Sequence, residues 1–192
     1  MIGSHNTFSY LPIKNRWMSF LKPWYKCQDK DIIQQINNGA RFFDIRVKFD
    51  KKGNLQIVHN KIVFDISESQ FWGIINSVKE LANKLNTILY FRIILDIRNK
   101  PKDFVLQKCY LIDFANRFNN IDKLICLEHT ITYWNWKHTY YHINNFSIIE
   151  DHASVKAKWY EYILGTKYYA TKVGYKYINE HSFKNIYLLD FI

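Results

Sequence analysis

The sequence is short of cysteine, glycine and proline, and of any long run of one chemical kind. Its three cysteines, Cys27, Cys109 and Cys126, are widely spaced and form no C-x-x-C pair. That argues against a disulfide framework or a cysteine-based zinc site and fits a reducing compartment. The six glycines and three prolines are nowhere gathered into a linker, and no internal repeat or low-complexity segment interrupts the 192 residues. Residues 1–192 therefore read as one domain, long enough for one sizeable core. No stretch is apolar for the roughly 20 residues that a membrane span needs. The opening Met1-Ile2-Gly3-Ser4-His5 has neither the basic nor the apolar region of a secretory signal. The expectation is a soluble monomer, cytoplasmic or peripheral to a membrane, unless the sequence is an already processed form.

What is present is aromatic and basic. Hydrophobic residues make up 48% and aromatics 18%, which excludes a disordered chain. The formal charge of +10 attracts polyanions: nucleic acid, anionic lipid headgroups or a phosphorylated substrate. The lysines are scattered rather than massed, so a generally basic surface accounts for much of the charge. There is no helix-turn-helix, RNP or zinc-finger pattern, and nucleic acid is not expected as a partner.

Residues 41–49 alternate with the period of a strand: Phe43, Ile45, Val47 and Phe49 on one side, Phe42, Asp44, Arg46 and Lys48 on the other. Residues 90–98 repeat the arrangement, with Phe91, Ile93, Leu95 and Ile97 opposed to Arg92, Ile94, Asp96 and Arg98. Between them, apolar residues from Phe71 to Leu85 recur at helical spacing behind a Ser67/Gln70 capping box. Further helices are expected near 105–118 and 154–164, and strands near 123–127, 146–150 and 186–191. Strand and helix alternate, and charges gather at strand C-terminal ends. That is the pattern of an α/β fold with a TIM-barrel-like (β/α) barrel. An open doubly wound sheet alternates in the same way, but its G-x-G-x-x-G or P-loop is absent.

Two of the seven histidines stand out by context: His5, after the short first strand, and His59, after Leu55-Gln56-Ile57-Val58. Imidazole titrates near neutrality, so two around one phosphate can act as base and acid. The runs Gly3-Ser4-His5-Asn6-Thr7-Phe8, Gly39-Ala40-Arg41-Phe42-Phe43-Asp44-Ile45-Arg46 and Ile57-Val58-His59-Asn60 resemble, in order and spacing, the motifs of phosphatidylinositol-specific phospholipases C. The second run is closest to the bacterial, calcium-independent type, and the first to the eukaryotic form.

The resemblance implies a phosphoric diester hydrolase that cleaves phosphatidylinositol, or a related glycerophospholipid, to diacylglycerol and a cyclic inositol phosphate. His5 would be the base on the inositol 2-hydroxyl and His59 the acid to the leaving oxygen. Arg46 would hold the phosphate where other members place calcium, so no metal or other cofactor is expected. Asp44 would orient Arg46 or the His59 region. Arg98, Asp96, Asn60 and Asp151 would contact the substrate headgroup; Arg98 with Asp96, and Arg46 with Asp44, also read as plain ion pairs.

Pro12-Ile13-Lys14 followed by Trp17 resembles a membrane-touching short helix. Trp17 and Trp24, among Lys14, Arg16, Lys22 and Lys26, suit an anionic membrane surface, with burial in the core, together with Tyr25, as the other reading. Trp134 and Trp136 stand between the same two readings.

Three departures qualify the resemblance. Asn6 stands where bacterial members have an aspartate that supports the acid, and Asn60 where a glycine is usual. The carboxylate partner of the base histidine, which the family draws from a later strand, has no counterpart before Ile192. The barrel is then irregular or incomplete at its C-terminal end, and a weak or inactive module that binds anionic lipid or a phosphorylated ligand is the alternative.

Overall fold

A computed structural model describes residues 1–97, 103–132, 140–143, 146–150 and 185–189. Among the described residues, nine strands form one mixed sheet: β1 (Ile2–Ser4), β2 (Ala40–Phe49), β3 (Leu55–His59), β4 (Ile62–Val63), β5 (Leu89–Asp96), β6 (Leu124–Thr132), β7 (Tyr140–Ile143), β8 (Phe146–Glu150) and β9 (Asn185–Leu189). The order runs β6-β5-β2-β1-β9-β8-β7, parallel except for β7, and the β3-β4 hairpin hangs antiparallel from the C-terminal end of β2. No pairing joins β6 to β7 among the described residues, so the sheet is a barrel-like arc without a closing seam.

Four α-helices are described: α1 (Lys22–Tyr25), α2 (Ile32–Asn37), α3 (Glu68–Lys84) and α4 (Phe104–Asn119), with a 3₁₀ turn at Arg16–Leu21. The capping box expected of α3 is present: Gln70 N–H donates to Ser67 Oγ, and Ser67 N–H to Gln70 Oε1. Gly39, at φ 97°, ends α2 and turns the chain into β2. The strand expected at 123–127 is longer, reaching Thr132. The helix expected at 154–164, and with it Arg98, Asp151, Trp134 and Trp136, lies outside the described residues.

One face of β2 and β5 packs under α3 and α4. Phe43, Phe91 and Phe118 stack in sequence, with ring centroids 5.4 Å apart for the first pair and 4.9 Å for the second. Phe71 and Phe114 join the same cluster. The opposite face is not a solvent face, as the alternation alone would have it. Phe42 and Asp44 are fully buried, and Arg92, Ile94 and Asp96 nearly so, because this side turns into the interior of the arc. Parallel strands covered on both sides are the rule in such folds, and here the inner side is lined with charge.

Candidate active site

Each charged side chain of the inner face is placed by strand register. Asp44, Arg46 and Lys48 occupy alternate positions of β2 and so share a side. Parallel pairing sets Asp44 opposite Arg92 on β5. On the other flank, β1 pairs Ser4 with Phe43, which delivers His5 and Asn6 to the same level. The segment after β1 is held by Thr7 N–H to the Asp44 carbonyl at 2.9 Å and by Gln28 Nε2 to the His5 carbonyl at 3.0 Å. Asn6 takes φ 47°, a left-handed conformation that asparagine tolerates better than most residues.

The side chains converge. Arg46 Nη2 donates to His5 Nε2 at 2.9 Å, and Asn6 Nδ2 stands 3.3 Å from both His5 Nε2 and His59 Nε2. One amide thus bridges the two imidazoles, with Cys27 Sγ 3.5 Å from the same nitrogen. His59 Nδ1 lies 2.7 Å from the Tyr25 carbonyl, to which it can only donate. That fixes the tautomer and leaves the Nε2 lone pair facing the site.

Asp44 is the electrostatic hub. Its Oδ2 lies 3.4 Å from Arg46 Nε, 3.3 Å from Arg92 Nη2 and 3.9 Å from His5 Nε2. It approaches Arg46 and His5 directly, and it also accepts the N–H of Asn6, the residue that reaches His59, at 3.4 Å. Arg92 was visible in the sequence only as one charge on an alternating strand; its role came from the β2–β5 pairing, which no local pattern carries.

Asn60 and Asp96 form a second cluster beside His59. Asp96 Oδ2 accepts the Asn60 N–H at 2.7 Å, and Lys48 Nζ donates to the Asn60 carbonyl at 2.6 Å. These two contacts clamp the turn after β3, where Asn60 takes φ 58°. The remaining oxygens, Asp96 Oδ1 and Asn60 Oδ1, are buried without a hydrogen-bond partner.

The electrostatics distinguish His59. Its pKa is pushed down to about 4, first by burial, then by the Arg46 guanidinium; the Tyr25 carbonyl oppose this, His5 adds to it, and Asp96 offsets little. The residue as a whole is half-buried. Asp44 is not among the groups that shift His59.

At the rim, Trp17 is 70% exposed and Trp24 47%, whereas Tyr25 is buried. The two tryptophans are surface residues, and only Tyr25 belongs to the core. Phe20, which the sequence did not single out, is 63% exposed with its ring 6.5 Å from that of Trp17.

The profile of the family described as phosphatidylinositol-specific phospholipase C, X domain, matches residues 13–108. The chain belongs to this family. The matched segment contains Asp44, Arg46, His59, Asn60 and Asp96; His5 and Asn6 precede it and are joined to it by β1. Among solved structures, the phosphatidylinositol-specific phospholipase C from Listeria monocytogenes is similar with a TM-score of 0.62 at 17% identity, over 100% of this chain and 87% of that one. A mutant of the enzyme from Staphylococcus aureus aligns with a TM-score of 0.57 at 15% identity, over 98% and 70%. At these identities the likeness speaks to the fold. No curated protein gives a significant match to the sequence. Among the described residues, no helix is long and apolar enough to cross a membrane.

Proposed function

We propose that this phospholipase C family member cleaves phosphatidylinositol or a close relative at a membrane surface, releasing diacylglycerol and a cyclic inositol phosphate. The observation that carries the reading is that the Asn6 amide stands 3.3 Å from both His5 Nε2 and His59 Nε2 while Arg46 Nη2 donates to His5 Nε2 at 2.9 Å. A phosphate displacing the Arg46–His5 contact meets a guanidinium fork and two imidazole nitrogens. His5, beside Arg46 and Asp44, takes the proton of the attacking hydroxyl. His59 delivers one to the leaving oxygen, and only its protonated fraction is competent to do so.

Because that fraction is small at neutral pH, turnover is slow there and its optimum lies on the acid side of neutrality. Arg46 fills the place of a divalent cation, so the reaction needs none. Asp96 and Asn60, with unpartnered oxygens beside His59, accept hydroxyl groups of the headgroup, and Arg98 and Asp151 complete its binding.

The test is release of water-soluble inositol phosphate from labelled vesicles, with and without a chelator. Hydrolysis that survives chelation and falls 10²-fold or more in both His5→Ala and His59→Ala supports the reading. Vesicle binding by the parent with no hydrolysis at any pH between 4 and 8 would leave a lipid-binding module instead.

A further inference from the structure

A cavity of about 360 Å³ lies beside the catalytic mouth, lined by Ile13, Lys14, Met18, Lys61, Ile62 and Val63 among others. Its size is at the lower end of the range for small-molecule sites. The walls come from two segments tied by backbone hydrogen bonds: Lys14 N–H to the Val63 carbonyl at 2.9 Å, and Asp65 N–H to the Pro12 carbonyl at 2.7 Å. The isolated bridge between Ile13 and Phe64 closes the same seam. The slot is therefore built into the fold.

Its chemistry is two-sided. Ile13 and Ile62 are buried, while Met18 and Val63 are partly so, which makes an apolar interior. Lys14 and Lys61 are both exposed and place two positive charges at its edge. Met18 belongs to the same 3₁₀ turn, Arg16–Leu21, that carries the exposed Trp17 and Phe20 rings. Ile62 pairs across the hairpin with His59, so the slot adjoins the catalytic residues without including them.

We propose that this slot is an anchoring site for an anionic lipid that is not the one being cleaved: a single acyl chain fills the cavity and its phosphate pairs with Lys14 and Lys61. Each methylene moved from water into such a slot is worth about fourfold in affinity. Two exposed lysines alone would hold a phosphate weakly, so the chain supplies most of the affinity and the lysines select the charge. The rings of Trp17 and Phe20 then lie against the surface from which that lipid is drawn.

The test is calorimetric binding of inorganic phosphate, butyl phosphate and octyl phosphate, each below its aggregation concentration, to the full chain. Octyl phosphate is expected to bind at least tenfold more tightly than butyl phosphate. That gain is lost in Met18→Trp, which fills the slot, while Lys14→Glu with Lys61→Glu weakens octyl phosphate fivefold or more from positions too exposed to disturb folding. Arg46→Ala leaves the gain of octyl over butyl phosphate unchanged. Affinity indifferent to chain length, or unaltered in the double lysine variant, overturns the proposal; so does loss of the chain-length gain in Arg46→Ala, which would assign the chain to the lipid under cleavage. None of these readouts depends on hydrolysis, so the slot and the catalytic reading stand or fall separately.

Discussion

Arg92 and Asp44 face each other across β5 and β2, Nη2 to Oδ2 at 3.3 Å and Nε to Oδ1 at 3.4 Å, both side chains almost wholly buried. Losing Asp44 takes a buried counter-charge from Arg92, whereas losing Arg92 leaves Asp44 with Arg46 as its remaining guanidinium partner. Arg92→Met is expected to destabilise the protein by about 1–3 kcal/mol, and the double variant Arg92→Met/Asp44→Asn by less than the sum of the two single changes. Urea unfolding of the four proteins measures this; additive losses would mean that the two charges do not depend on each other.

A charge placed at position 6 would act directly on the proton affinity of His59. In Asn6→Asp a carboxylate takes the place of an amide 3.3 Å from His59 Nε2 and favours the imidazolium. The His59 pKa is expected to rise by more than one unit from its depressed value of about 4. Imidazole NMR titration reads it directly, and the optimum for lipid hydrolysis moves toward neutrality with it. An unmoved His59 titration would exonerate the amide.

Folding stability shares this dependence. The unfolded chain protonates His59 near its ordinary value of 6.5, the folded chain only near 4. Between those values the unfolded state binds more protons, so stability falls as pH falls, by at most about 1.4 kcal/mol per unit from this residue. His59→Asn flattens the stability profile in that window. Parallel profiles for variant and parent would show that His59 is not the group responsible.

At the rim, Trp17→Ala and Phe20→Ala are each expected to weaken binding to anionic vesicles about tenfold, since rings this exposed have apolar area to bury in the headgroup region. Their unfolding midpoints stay where they are, because at 70% and 63% exposure neither ring holds the core together. Vesicle sedimentation paired with thermal melts separates the two effects.

Much of this site was legible before any coordinates, for reasons that can be traced. Period-two alternation placed Asp44, Arg46 and Lys48 on one side of one strand, and the motif order set His5 and His59 apart from the other histidines. Alternation is local, however, and does not say which strands are neighbours. That Arg92 meets Asp44, that Asp44 lies within reach of His5, and that the charged side of β2 is interior all follow from β5 and β1 flanking β2. Nor does sequence separate an exposed tryptophan from a buried one: Trp24 and Tyr25 are adjacent in the chain, yet one lies on the surface and the other in the core.

Because Asn6 sits at φ 47°, its backbone discourages branched or bulky replacements and leaves asparagine, aspartate and glycine as the comfortable occupants. Of these, glycine would sever the link between the imidazoles, and aspartate would turn a neutral link into an anionic one. The exchange of one NH₂ for one oxygen would therefore change the charge beside His59, at a place where the main chain itself has narrowed the choice.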